Sequence, residues 1–269
     1  MNAVRPLGAA LIGIVLVALW LVLAPPIVSG WTDGESPVRG ESMFTLAIFG
    51  PMLLVGIVGR RIGAVPGKLF GDDAGRATVW GIALGVGALL LAVGYTWLAG
   101  TLVPGASGLT SVSLMLGILV IAVQVAAEEL LFRGWLQPQI AAVIGTPGAV
   151  MLVAAVFAAL HGLGGATGGL AVLNLMLGGM MFGLIAARSG GIAGAIAAHW
   201  GWNAGEQLLF GLDPNPGMGP FGAVLDLDLV GAVRWGGSDQ GLNASFAMTA
   251  ALAVIVVPLA LRRGSTKTA

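Results

Sequence analysis

The chain has no cysteine, and only 9% of its 269 residues are charged. Without cysteine there is no disulfide, no thiolate metal site and no cysteine nucleophile. The charged fraction is far below that of an ordinary soluble domain. The formal net charge is zero, so no nucleic-acid partner is expected. Histidine is also scarce, with only His161 and His199 in the whole sequence.

Apolar residues, by contrast, make up 57% of the chain, and they occur in long runs. Such runs predict an all-α, polytopic integral membrane helical bundle with about eight transmembrane helices. The 45 glycines favour close helix packing in a bilayer. The expected spans are about 7–28, 43–58, 79–98, 109–143, 146–161, 170–187, 192–210 and 244–261. The first run also has the basic flank of a signal peptide, but no clear small-x-small cleavage site follows, so we interpret it as an uncleaved span.

Basic residues mark one side of this eight-span arrangement. Arg5, the segment 60–76, Arg188 and the C-terminal tail all fall on that side, and the acidic loops fall on the other. Cytoplasmic loops of membrane proteins are enriched in Lys and Arg. The pattern therefore predicts that both termini are cytoplasmic.

The most informative stretch is Val125–Gly134, which places Glu128, Glu129 and Arg133 inside an apolar run. A charge inside a membrane span costs a few kcal/mol on insertion scales, so such groups face a protein interior and usually serve a function. Glu129 and Arg133 are four residues apart and can pair on one helix face. Glu128 is turned about 100° away and is free for another task. A purely structural ion pair is the alternative.

Two further polar clusters lie in the predicted fifth and seventh spans. Phe157 and His161 share one helix face, and His199 and Asn203 share another. At 1.5 Å per residue, Glu128 lies roughly 22 Å, His161 roughly 20 Å and His199 roughly 11 Å from the cytoplasmic ends of their spans. These depths predict one shared cavity, in the inner half of the membrane.

Two chemistries fit this set of side chains. A carboxylate and a histidine can activate water as general bases, while a second histidine and an asparagine amide donate to a developing oxyanion. That arrangement suits amide hydrolysis. Alternatively, Glu128, His161 and His199 form a two-histidine, one-carboxylate zinc set, with Glu129 as the base. The residues alone leave both possibilities open, so the cofactor is unknown, with zinc as the candidate.

In these residues the chain resembles the CPBP family of intramembrane proteases, which includes the CAAX prenyl protease 2-like and bacteriocin-processing (Abi) proteins. The family pattern is Glu-Glu-x-x-x-Arg, then Phe-x-x-x-His, then His-x-x-x-Asn, and the chain has all three in order. The resemblance implies that Glu128 and His161 activate water and that His199 and Asn203 form an oxyanion hole. It assigns Glu129 and Arg133 to the support of Glu128. The family has been described both as metalloproteases and as glutamate proteases.

The resemblance predicts an intramembrane endopeptidase that acts on a membrane-associated protein or lipidated peptide, with a prenylated CAAX-type substrate as one alternative. The expected organisation is N-terminal helices in 1–108, a protease core in 109–210, and an outer loop with a last helix in 211–269. By family analogy, and in the absence of targeting signals, we expect a bacterial inner membrane location in contact with the lipid bilayer. A non-catalytic immunity or scaffold protein and a proton-coupled transporter are the rival interpretations.

Overall fold

The structure is a computed structural model that describes residues 4–105, 111–163, 168–213 and 219–261. It is dominated by helices. Eight are α-helical in the described ranges: α1 Val4–Thr32, α2 Pro37–Ile62, α3 Ala74–Leu98, α4 Ser111–Glu129, α5 Gln137–Leu163, α6 Gly169–Ser189, α7 Ala193–Ala204 and α8 Phe246–Leu261. Two π-helical segments, Leu130–Leu136 and Gly205–Phe210, continue α4 and α7.

The helices have the length and apolar composition of membrane spans. Five helical segments, including one of 52 residues from Val112 to Leu163, are long and apolar enough to cross a membrane. Helical segments occupy all eight predicted positions, and large apolar side chains on several of them are exposed, as expected for contact with lipid. The fold is therefore an integral membrane helical bundle. The number of crossings and the cytoplasmic placement of the termini stay predictions.

The 52-residue segment is divided by one break. Gly145 has φ 77° and ψ 162°, a conformation outside the helical region, and it separates the predicted fourth and fifth spans. Pro138 does not end the helix, although it lacks the N–H that would bond the Gly134 carbonyl in an α-helix. That carbonyl instead accepts a hydrogen bond from Arg60 Nη1 at 2.7 Å. A distant cation on α2 thus satisfies the acceptor that the proline leaves open.

Helices α3 and α7 approach each other closely because glycine lies where they touch. A Cβ added to Gly81 would lie 2.2 Å from the Gly194 carbonyl oxygen, and one added to Gly85 would lie 2.0 Å from that of Ala198. Small residues allow such backbone contact between membrane helices. Ala198 directly precedes His199, so this contact sets the position of one predicted site residue.

The long segment after α7 contains structure that the sequence did not predict. Strand β1, Leu102–Pro104, pairs antiparallel with strand β2, Leu227–Leu229, and Leu102 lies opposite Leu229. Leu229 is buried in a cluster formed with α3, α6, α7 and α8. The apolar alternation of Leu227, Asp228 and Leu229 was too short to distinguish from loop. The described part of the chain is thus helical with one small sheet.

The glycine-rich segment 162–169 predicts irregular backbone between the fifth and sixth spans. In the structure α5 reaches Leu163 and α6 begins at Gly169, while 164–167 lie outside the described residues. The division into 1–108, 109–210 and 211–269 stays a prediction.

Replacing Gly85 with alanine is expected to destabilise the fold, because the new Cβ would collide with the Ala198 backbone. Gly87→Ala, on the same helix, is the matched control, since nothing lies within 4 Å of its added Cβ. Overpacking of this kind costs about 1–3 kcal/mol. Thermal unfolding in one detergent should show a lower Tm for Gly85→Ala only. Equal Tm values would contradict the close α3–α7 contact.

Candidate active site

Four of the predicted site residues line a single cavity of about 180 Å³. Glu128 comes from the end of α4, His161 from the last turn of α5, and His199 and Asn203 from α7. We call this the central cavity. Elements far apart in sequence therefore bring together the three motifs. The remaining two predicted residues, Glu129 and Arg133, do not line it and lie behind it.

The Glu129 carboxylate is the centre of the hydrogen-bond network behind the central cavity. Its Oε1 accepts a hydrogen bond from Arg133 Nη1 at 2.7 Å and lies 2.8 Å from His199 Nδ1. Arg133 Nη2 donates to the Gly179 carbonyl at 2.9 Å. The side chains of Glu129 and Arg133 are fully buried. The predicted pair of Glu129 and Arg133 thus forms, and it also ties α4 to α6 and α7.

Aromatic rings surround the buried ion pair. The Arg133 guanidinium carbon lies 4.9 Å from the centre of the Phe157 ring and 5.5 Å from that of Phe182. Phe182 also stacks on His199, with ring centres 4.4 Å apart and planes inclined by 17°. These ring faces attract the cation and keep the His199 ring in one orientation. Phe157, the first residue of the second motif, is therefore a wall of the site.

The backbone changes from α- to π-helix immediately after the two glutamates. The π segment runs from Leu130 to Leu136, and the Gln137 N–H bonds the Phe132 carbonyl five residues back. Single π turns inside α-helices are rare and often occur at functional sites. All seven residues of the segment, Arg133 among them, are buried.

Glu128 faces the central cavity, in accordance with its predicted orientation. Its Oε1 accepts a hydrogen bond from Gln124 Nε2 at 3.3 Å, and its Oε2 lies 3.9 Å from His199 Nε2. Glu128 is 3% exposed, and Oε2 has no hydrogen-bond partner among the described residues. Buried polar atoms are nearly always satisfied, so an open carboxylate oxygen in a cavity is a feature that water or a ligand can occupy.

The contacts of the two histidines fix which ring nitrogens carry hydrogen. His161 Nδ1 lies 2.9 Å from the Phe157 carbonyl oxygen, which can only accept. Nδ1 must therefore carry the proton, and Nε2 of neutral His161 has a free lone pair. His199 Nδ1 likewise donates to the Glu129 carboxylate, and the Nε2 atom of His199 faces Glu128.

Sequence reasoning missed several residues of the cavity wall. Gln124 lies one helical turn before Glu128, and Glu206 lies one turn beyond Asn203, so helical spacing could have indicated both. Glu206 is buried and accepts from Trp202 Nε1 at 2.9 Å. Asn174 could not be identified from the sequence, because no other polar residue lies within one helical turn of it in α6. It donates to the carbonyls of residues 243 and 245, which join α6 to the segment before α8.

The depth of the central cavity in the membrane stays a prediction. Asn243, in the segment before α8, and Met248, in the first turn of α8, also line the cavity.

The predicted zinc ligands line the same cavity but do not form a metal site. Among the residues that the structure describes, no group of three or more His, Asp or Glu side chains is placed to hold a metal ion. His161 and His199 each use Nδ1 in a hydrogen bond, so only their Nε2 atoms could bind a metal. The side chains as arranged do not fit a zinc site.

Comparison with known proteins places these motifs in a family. Residues 110–205, about a third of the chain, match the family model described as type II CAAX prenyl endopeptidase Rce1-like. The match covers all three motifs and confirms the CPBP, CAAX-type protease resemblance for this segment. It indicates a CAAX-type intramembrane protease in general terms. Neither a curated protein nor a solved structure shows significant similarity to the chain.

Replacing Arg133 with methionine is expected to destabilise the protein, because Glu129 would lose its buried cation. Removing one partner of a buried ion pair costs about 3–5 kcal/mol. The double variant Glu129→Gln/Arg133→Met should recover part of that loss, since a glutamine still offers His199 an acceptor. Thermal unfolding of both variants tests this. A single variant as stable as the wild type would show that the ion pair does not hold the site.

Proposed function

We propose that the protein is an intramembrane endopeptidase that hydrolyses a peptide bond of a membrane-associated protein or peptide. The observation that carries the proposal is the convergence of Glu128, His161, His199 and Asn203 on one cavity. This set contains two bases and two potential oxyanion donors, which are the groups that amide hydrolysis requires. The family match of residues 110–205 supports the same reaction class.

The first step is activation of a water molecule. Water bound in the central cavity can donate one hydrogen to the open Glu128 Oε2 and another to the bare Nε2 of His161. Gln124 orients the glutamate through its other oxygen. As the water oxygen attacks the peptide carbonyl carbon, its proton passes to Glu128.

The second step places negative charge on the carbonyl oxygen. Asn203 Nδ2 and His199 Nε2 are the proposed donors to that oxyanion. His199 can donate from Nε2 only when both ring nitrogens carry a proton, because Nδ1 already donates to Glu129. The Glu129 carboxylate stabilises the resulting imidazolium. Arg133 in turn stabilises Glu129 in its ionised form through the 2.7 Å hydrogen bond.

In the third step the tetrahedral intermediate collapses. The C–N bond breaks, and Glu128 returns its proton to the departing amine. The products are a carboxylic acid and an amine, and the site regains its starting protonation. Glu129 and Arg133 take no part in proton transfer in this scheme, and they act as positioning residues.

The walls of the cavity indicate the character of the substrate. Leu175, Met181 and Leu252 contribute apolar surface opposite the polar groups. Such a wall suits an extended peptide with apolar side chains next to the scissile bond. A prenylated CAAX-type chain is one substrate of this kind, and an unmodified membrane peptide is another. The bilayer is the second partner, and a bacterial inner membrane with both termini cytoplasmic remains the proposed setting.

No step of this scheme uses zinc, because the side chains of Glu128, His161 and His199 as arranged do not form a metal site. Elemental analysis of the purified active protein tests this feature of the proposal. Full activity without metal would support the scheme, and one zinc per chain would contradict it.

Glu128→Gln and His161→Ala are expected to lower cleavage by about 10²–10⁴-fold, because each removes a general base. The variants should keep a wild-type Tm and membrane level. Glu35→Gln, which alters a partly exposed ion pair with Arg39, is the matched control and should cleave normally. Cells that express each form would be compared by proteomics of membrane peptides and with a lipid-anchored CAAX reporter.

The proposal is overturned if stable Glu128→Gln and His161→Ala variants process the same peptides as the wild type. In that case the buried polar groups would serve a non-catalytic immunity or scaffold protein, or a proton-coupled transporter. Peptides that remain uncut only in the two variants would identify the substrate.

A further inference from the structure

A second cavity lies on the opposite side of the buried ion pair from the central cavity. Its volume is about 270 Å³, and it is formed by the segment after α2, the start of α5 and the turn between α6 and α7. Leu69 and Ile192 fix these parts together, since the Ile192 N–H donates to the Leu69 carbonyl at 2.9 Å. We call it the basic-face cavity, because it opens on the side that carries the segment 60–76.

The charges around the basic-face cavity have one sign. Among the residues that the structure describes, its lining contains three cationic residues, Arg60, Lys68 and Arg133, and no acidic one, and the Arg133 side chain is fully buried behind the wall. Lys68 is 75% exposed at the rim, and its ion pair with Asp72, which is itself 93% exposed, contributes little. The central cavity, in contrast, is lined by Glu128 and by further carboxylates. The basic-face cavity is therefore suited to an anion.

Two buried side chains on its wall have unused hydrogen-bonding atoms. Arg133 is 3% exposed; its Nη1 and Nη2 are bonded, but its Nε has no partner among the described residues. Gln137 is 5% exposed, and its Nε2 donates to the Gly183 carbonyl at 3.0 Å while its Oε1 has no described partner. A hydroxyl on a ligand could donate to Gln137, and the Arg133 guanidinium lies buried behind the same wall.

The backbone adds a third feature. Gly190 and Gly191 line the cavity and lead directly into the N-terminus of α7. The first amides of a helix have no acceptor within the helix, and the helix dipole makes this end attractive to anions. A Cβ on Gly191 would lie 2.1 Å from the Gly71 backbone nitrogen, so only glycine allows the turn to close against the segment 60–76. Glycine followed by a helix N-terminus is a recurrent setting for phosphate.

We propose that the basic-face cavity binds a phosphate group, held by Lys68 and Arg60 at the rim, with Arg133 buried behind the inner wall and the positive end of the α7 dipole beside the cavity. An anionic phospholipid headgroup and free phosphate share this chemistry. The position of the cavity beside the basic segment favours the lipid, since basic pockets between helices on this side of membrane proteins bind anionic headgroups. This site is separate from the proposed peptidase reaction and does not depend on it.

The test uses the purified full chain in a detergent without phosphate and three probes. Dihexanoyl phosphatidic acid and dihexanoylglycerol differ only by the phosphate, and inorganic phosphate lacks the acyl chains. Calorimetric titration should detect binding of phosphatidic acid and none of dihexanoylglycerol. Competition by millimolar inorganic phosphate would identify free phosphate as a ligand, whereas no competition would identify the lipid headgroup.

Three variants locate the binding. Lys68→Gln should weaken phosphatidic acid binding about fivefold, the effect of one surface cation. Thr146→Asp adds an anion to the cavity wall and should abolish binding; it leaves the fold intact, because Thr146 is exposed at a helix start where aspartate is favourable. Arg76→Gln, an exposed cation of the same face outside the lining, is the control.

The proposal is overturned if no phosphate-bearing probe binds. It is also overturned if Arg76→Gln weakens binding as much as Lys68→Gln, since the attraction would then belong to the whole basic surface. Unchanged binding in Thr146→Asp would equally exclude the cavity as the site.

Discussion

The arrangement of the site depends on one buried carboxylate. Glu129 accepts from Arg133 on its own helix and from His199 on α7, at 2.7 and 2.8 Å. Inside a bilayer none of these groups can exchange its partner for water, so the three side chains are stable only together. The position of α7 follows from this contact and from the glycine-mediated approach of α3. The same interaction leaves Glu128 without a cation and turned towards the cavity.

The buried pair also separates two cavities of different character. On the side of the long segment after α7, the central cavity holds carboxylates, histidines and amides. On the basic side, the second cavity is lined by cations and a helix N-terminus. Arg133 lies between the two cavities: its fully buried side chain bonds Glu129, and the residue borders the second cavity. A group that binds in the second cavity would lie close to Glu129 and Arg133, which orient His199.

The sequence predicted the helical membrane fold and the residues that converge, because charged and polar groups in apolar runs are rare enough to stand out. Helical spacing alone separated Glu128 from the pair of Glu129 and Arg133. The π-helical segment was not predictable, since it depends on how Arg133 packs among rings from other helices. The small sheet and the role of Asn174 were missed for the same reason: both depend on contacts between segments distant in sequence. The roles assigned to the site residues stay predictions.

The state of the two histidines is the most direct test of this account. The chain contains only two, so ¹⁵N-histidine labelling gives four ring-nitrogen signals, which His161→Ala and His199→Ala assign. The account predicts a protonated Nδ1 on both rings and a bare Nε2 on His161, with the His199 Nδ1 signal shifted by Glu129→Gln. A protonated Nε2 and bare Nδ1 on His161, or a His199 signal that Glu129→Gln leaves unchanged, would contradict it.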